Sequence, residues 1–136
     1  MTPETLARIT AARAARDLSD LARQAVGSVA LPGDTEDRLT AARRLRQLAN
    51  AVVDYTVVAE ALSGTSWEAM AGALGRRNAD TLKAEYEESV QEWAALEHDA
   101  LAEGTHGAFD LDAWYRRHQE DADPGSETPV TDLLNR

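Results

Sequence analysis

The stretch Thr65-Ser66-Trp67-Glu68-Ala69-Met70-Ala71-Gly72-Ala73-Leu74-Gly75-Arg76-Arg77-Asn78 decides how the chain is read. Thr65 followed three residues later by Glu68 has the form of a capping box, in which the hydroxyl takes a first-turn N–H and the carboxylate reaches back. A short helix is expected from here, with Trp67, Met70, Ala71 and Leu74 on one face. Gly75 ends it, because glycine enters the left-handed region without the clash of a Cβ. Arg76, Arg77 and Asn78 then form a turn, and a second helix is expected from Ala79 or Asp80. Leu82, Tyr86, Val90, Trp93, Leu96, Ala100 and Leu101 keep one apolar stripe, which predicts that this second helix continues to about Glu103.

Upstream, Thr2-Pro3-Glu4 opens a helix, since threonine caps free N–H groups and proline costs nothing in the first turn. Leu6, Ile9, Ala14, Leu18, Leu21, Ala25 and Val29 define its stripe, and the helix is expected to reach about Val26. Gly27-Ser28 and Leu31-Pro32-Gly33-Asp34 break it. A further long helix is expected from Asp34 or Thr35 to Ser63-Gly64, with Leu39, Ala42, Leu45, Leu48, Ala49, Val52, Val53, Thr56, Val57 and Leu62 on its apolar side. Two long helices and a short loop make an antiparallel hairpin. Downstream of Gly104-Thr105-His106-Gly107, a short helix capped by Asp110 carries Leu111, Trp114, Tyr115 and His118. The expected organisation is an all-α domain over residues 1–119, followed by a flexible acidic tail at 120–136 in which Val130, Leu133 and Leu134 are placed to dock.

The composition agrees with an all-α chain. It is 43% hydrophobic but only 5% aromatic, and alanine and leucine dominate the apolar residues. Cysteine is absent, which removes disulfides, thiolate nucleophiles and cysteine metal sites. No apolar run approaches a membrane span, and Met1 to Glu4 leads into a polar helix, so a cytoplasmic protein is expected. Thirteen of the 14 basic residues are arginine, a bias expected of a GC-rich genome. The net charge of −10 opposes phosphate binding when taken whole. It is not spread evenly, however: residues 84–136 hold three Arg against fourteen acids, a local −11, whereas residues 65–83 hold Arg76, Arg77 and Lys83 against Glu68 and Asp80, a local +1.

The segment from Thr65 to Trp93 resembles the helix-turn-helix of small actinobacterial regulators, itself similar to region 4 of sigma factors. The tryptophan and acid at Trp67-Glu68, the aliphatic Met70, the small Ala71 and the Leu74-Gly75 pair carry the resemblance. Leu39 to Leu62 stands where the family has its supporting helix. The resemblance implies a DNA-binding transcription regulator. Its contacts would come from Ser66 and Trp67 on the backbone, Arg76 and Arg77 on phosphate or guanine, Asn78 and Thr81 on base edges, and Lys83 on the backbone. The chain departs from the family after Gly75, where Arg76-Arg77-Asn78-Ala79-Asp80 replaces a small aliphatic residue, serine and polar base-reading residues. The same residues have a plainer reading, with Arg76 and Arg77 solvated, Asn78 an N-cap and Lys83 paired with Glu87.

Self-association through the N-terminal helices is expected, because two copies would present two helix-turn-helix units to two half-sites of double-stranded DNA. The alternative is an adaptor or antagonist that binds a protein of the transcription machinery and leaves DNA alone. An enzyme is not expected. His98, His106 and His118 form no metal pair on one helical face, and Glu85, Glu88 and Glu92 read as a solvated acidic face. Trp67, Trp93, Trp114, Tyr86 and Tyr115 fall at core spacing, and no phosphate-cradling glycine loop or other cofactor motif is present.

Overall fold

A computed structural model describes residues 1–104 and 106–135. Thr105, in the expected loop before the last helix, and Arg136 lie outside the described residues. Among those described, the chain is all-helical: α1 Pro3–Gly27, α2 Thr35–Leu62, α3 Trp67–Ala73, α4 Ala79–Ala94, α5 His98–Gly104 and α6 Ala108–His118, then a 3-10 turn at Thr131–Asn135. No helix among them is long and apolar enough to cross a membrane.

Helices α1 and α2 form the expected hairpin. Thr2 caps α1 by accepting from the Thr5 N–H at 3.1 Å, and Asp34 caps α2 by accepting from Asp37 at 2.7 Å. The base of the hairpin is the structural centre. On one side of α1, Ala7 packs with Val58 and Ala59 of α2, joined by Val90 and Trp93 of α4. On another side, Ile9 packs with Ala108 and Leu111 of α6 and with Val130. Ile9 and Leu82 are fully buried, and each contributes on the order of 1.5–3 kcal/mol of hydrophobic stabilisation. The far half of the hairpin is different. Val26, Val29, Leu31 and Leu39 remain 64–84% exposed, so the apolar stripes of α1 and α2 run past the point where anything covers them.

The structure corrects three sequence expectations about where helices begin and end. The long helix expected to reach Glu103 ends at Ala94, and α5 begins as a separate element at His98. No glycine or proline marks the break. The bend returns the chain to α1, where Leu101 is buried and Gly104 lies so close to Leu6 that a Cβ would collide with that side chain. The Arg13 guanidinium reinforces the contact by donating to the carbonyls of Gly104, at 2.7 Å, and His106. The cap of α6 is Gly107, with φ of +87°, and not Asp110, which lies inside the first turn.

The third correction concerns α3, whose cap is one residue later than expected. Ser66 accepts from the Ala69 N–H at 3.1 Å, while the Thr65 hydroxyl donates to Glu60 at 2.9 Å. The acidic segment after Gln119 folds back along part of its length, where docking was expected. The carboxylate of Asp112, 1% exposed on α6, accepts from the backbone N–H groups of Val130 at 2.7 Å and Thr131 at 3.1 Å, and from the Thr131 hydroxyl. Val130 docks beside Ile9 as its sequence suggested, with Leu133 and Leu134 partly buried on the same cluster.

Candidate nucleic-acid interface

The second half of α2, α3 and α4 enclose one small core of Val57, Met70, Ala71, Leu82 and Tyr86, with Ala61, Trp67 and Ala79 around it. Each residue type has a reason to be there. Ala71 is buried and small, which lets α3 lie close to its neighbours. Leu82 fills the centre. Tyr86 reaches across to α2, where its hydroxyl donates to Asp54 at 2.6 Å. Burial first, and then this bond to a carboxylate, push the Tyr86 hydroxyl far above its ordinary pKa of 10.0. Leu74, expected on one face with Trp67, Met70 and Ala71, is 41% exposed at the C-terminal cap of α3.

The turn from Leu74 to Asn78 is built from backbone. Gly75 takes φ of +70°, the left-handed region that closes the end of α3. The Arg76 N–H then donates back to the Ala71 carbonyl at 2.8 Å and the Gly75 N–H to Gly72 at 3.1 Å. On the other side of the turn, the Asn78 side-chain oxygen accepts from the N–H groups of Asp80, at 2.9 Å, and Thr81, at 3.2 Å. Asp80 occupies the first turn of α4, where a carboxylate is favoured by the helix dipole.

The candidate contact residues fall into three groups. Ser66 and Asn78 serve as N-caps, and Trp67 is half-buried against the three-helix core. Arg76 and Lys83 are engaged electrostatically. Arg76 pairs with Glu85 at 2.7 Å, and Lys83 lies 3.9 Å from Glu87, both in solvent-accessible positions where such pairs contribute about 0–1 kcal/mol. Arg77 and the Thr81 side chain are exposed, and among the described residues neither has a hydrogen-bond or ion-pair partner. The plainer reading of the sequence therefore describes Asn78 and Lys83 as they stand, but of the two arginines only Arg77 is unengaged.

Beyond its first turns, α4 presents Glu85, Glu87, Glu88 and Glu92, all exposed. An open groove of about 360 Å³ separates it from α2, lined in part by Asp54, Glu85, Ser89 and Trp93. No group of three or more potential metal ligands occurs among the described residues. His118 instead bonds the Trp114 carbonyl at 2.8 Å and lies against the indole, ring centroids 4.8 Å apart. The Trp114 N–H in turn donates to Asp20 at 3.1 Å, which, with the smaller influence of Arg23, holds the Asp20 carboxyl below its usual range.

The hydrogen bonds that tie Asp112 to Val130 and Thr131 had no sequence signal. An aspartate on a short amphipathic helix reads as solvated, and only the folded chain shows that this one is buried. As a class, the chain is an all-α protein whose α3, glycine turn and α4 pack on the end of a helical hairpin. No protein-family model, curated protein or solved structure matches it.

Proposed function

We propose that the protein is a DNA-binding transcription regulator that uses α3 and α4 as a helix-turn-helix, acts as a homodimer and needs neither cofactor nor catalysis. The observation that carries this reading is the three-helix core of Val57, Met70, Ala71, Leu82 and Tyr86, closed by the positive-φ turn at Gly75. That core fixes α4 relative to α3 while leaving Arg77, Thr81 and Lys83 on the surface at the start of α4. In this reading Arg77 and Lys83 contact phosphate, Thr81 approaches base edges, Ser66 lies near the backbone, and Arg76 exchanges Glu85 for phosphate. Asn78 and Trp67 act by holding the turn and α3 in place. The exposed apolar tip of the hairpin, Val26, Val29, Leu31 and Leu39, supports pairing of two copies.

One observation favours an adaptor instead. The exposed surface of α4 carries four glutamates, and two of the three cations around the turn already have acid partners. Recovery of genomic DNA fragments with the purified protein separates the two readings. A regulator enriches a defined set of fragments and loses them in an Arg77→Ala, Thr81→Ala double variant. Absence of enrichment by the wild type at low salt rejects the DNA reading in favour of the adaptor.

A further inference from the structure

Residues 38–53 of α2 contain Arg38, Arg43, Arg44 and Arg46 and no acid, in a chain whose net charge is −10. Their side chains do not all point the same way. Arg38 donates to the Gly33 carbonyl at 2.6 Å, and Arg44 faces α1, where it lines a groove with Asp17, Asp20 and Gln24. Leu39, Arg43, Arg46, Asn50, Val53 and Val57 recur at alternating four- and three-residue steps, so they share one side of the helix. At Val57 that side is buried beneath α3 and α4. Toward the hairpin tip the same side is exposed from Val53 to Leu39, and Arg43 and Arg46 have no hydrogen-bond or ion-pair partner among the described residues.

From this we infer that Arg43 and Arg46, with Asn50 beside them, form a second phosphate-binding surface that grips the DNA backbone next to the segment held by α4. The inference rests on the DNA reading above and adds a contact outside the helix-turn-helix. Charge complementarity selects the partner. Arginine guanidinium groups without an acid partner suit phosphate oxygens, and glutamine and asparagine at Gln47 and Asn50 add neutral donors. The spacing is compatible. Leu82, in the first turns of α4, shares a core with Val57 of α2, and at roughly 1.5 Å per residue Arg46 and Arg43 stand about 16 and 21 Å further along α2. A major groove is about 12 Å wide, so a ridge at that distance meets phosphates beyond the groove that α4 enters. The acids Asp54 and Glu85 lie at the inner end of the ridge, which confines the contact to its arginine-bearing part.

The test is fluorescence anisotropy of a labelled mixed-sequence duplex of about 25 base pairs, roughly two and a half helical turns, titrated with protein between about 50 and 200 mM salt. The variants are Arg43→Ala with Arg46→Ala, and Arg43→Lys with Arg46→Lys; both pairs are surface helix positions where alanine and lysine preserve the fold. Loss of two phosphate contacts lowers the slope of log affinity against log salt by about 1.8, which makes the change in affinity across that fourfold salt range about twelvefold smaller. The alanine pair is expected to show this, and the lysine pair to retain most of the wild-type slope. A wild type that binds with a slope the alanine pair leaves unchanged overturns the inference while the helix-turn-helix reading stands. No wild-type binding at the lowest salt overturns both. Conversion of a wild-type dimer to a monomer by the alanine pair, seen in sedimentation velocity, assigns the ridge to a subunit contact and likewise overturns the inference.

Discussion

Two glycines of α3 and its turn provide a paired test of how the turn is built. Gly72 lies within α3, and Gly75 ends it at φ of +70°. A Cβ added at either position meets nothing within 4 Å, so packing is removed from the comparison and only backbone conformation distinguishes them. At Gly72, alanine improves helix propensity and is expected to stabilise the fold by about 0.5–1 kcal/mol. At Gly75, an L residue is forced into the left-handed region at about 1–2 kcal/mol. The smaller conformational freedom of the unfolded chain returns a part of that, leaving a net loss of about 1 kcal/mol.

For a chain of this size, 1 kcal/mol moves the melting temperature by roughly 3–5 °C. Gly72→Ala should therefore melt about 2–5 °C above the wild type and Gly75→Ala about 3–5 °C below it, read by far-UV circular dichroism with reversible two-state transitions. The sign matters more than the size. A Gly75→Ala variant as stable as the wild type would mean that the turn does not hold the left-handed conformation that closes the end of α3. Parallel losses at both glycines would point to an unrecognised contact on the exposed face of α3.

Three other perturbations have defined outcomes. Leu82→Ala removes a fully buried side chain at the centre of the three-helix core and is expected to cost about 2–5 kcal/mol, measured by chemical denaturation. Tyr86→Phe deletes the bond to Asp54 and should cost about 1 kcal/mol at neutral pH. Because the folded protein holds the Tyr86 proton more tightly than the unfolded chain, this hydroxyl's stabilisation is complete below the ordinary value of 10.0 and fades as pH rises through the higher folded value. Wild-type melts should accordingly fall in strongly alkaline solution more steeply than those of Tyr86→Phe. Asp112→Asn replaces one acceptor oxygen with an amide that faces the N–H groups of Val130 and Thr131. A local loss of about 2 kcal/mol makes those two amides exchange roughly thirtyfold faster, with little change in exchange at Leu82.

The hairpin and the small core shared by α2, α3 and α4 were legible because their signals are local. Thr2-Pro3, Pro32-Gly33-Asp34, Ser63-Gly64 and Gly75 mark ends through capping and φ, and the apolar steps between them are helical. The end of α4 was not legible, because Trp93 to Ala100 contains no breaker and keeps a helical stripe. Contacts distant in sequence decide it: Leu101 must be buried and Gly104 must meet Leu6. The same cause hides Asp112, whose partners lie 18 and 19 residues further on. In the candidate interface, residue types marked a turn but not the engagement of each side chain. Whether an arginine is free depends on where glutamates on the neighbouring turn stand, as Arg76 and Glu85 illustrate across nine residues.

That engagement also orders the candidate contacts by what each must give up to touch DNA. Arg77 and the Thr81 side chain give up only hydration. Arg76 and Lys83 exchange an exposed carboxylate for a phosphate, and since such exposed pairs are worth at most about 1 kcal/mol each, the exchange is nearly neutral. Ser66 and Asn78 hold caps worth about 1 kcal/mol apiece, so moving their side chains to a base or phosphate would weaken the turn that presents the others. Trp67 would have to leave the Val57 core, the largest loss of the set. The net charge of −10 then acts as a constraint on geometry. Glu87, Glu88 and Glu92 repel a duplex that lies along the whole of α4, whereas contact at the turn, with the arginines of α2 on the flank, leaves those carboxylates facing solvent.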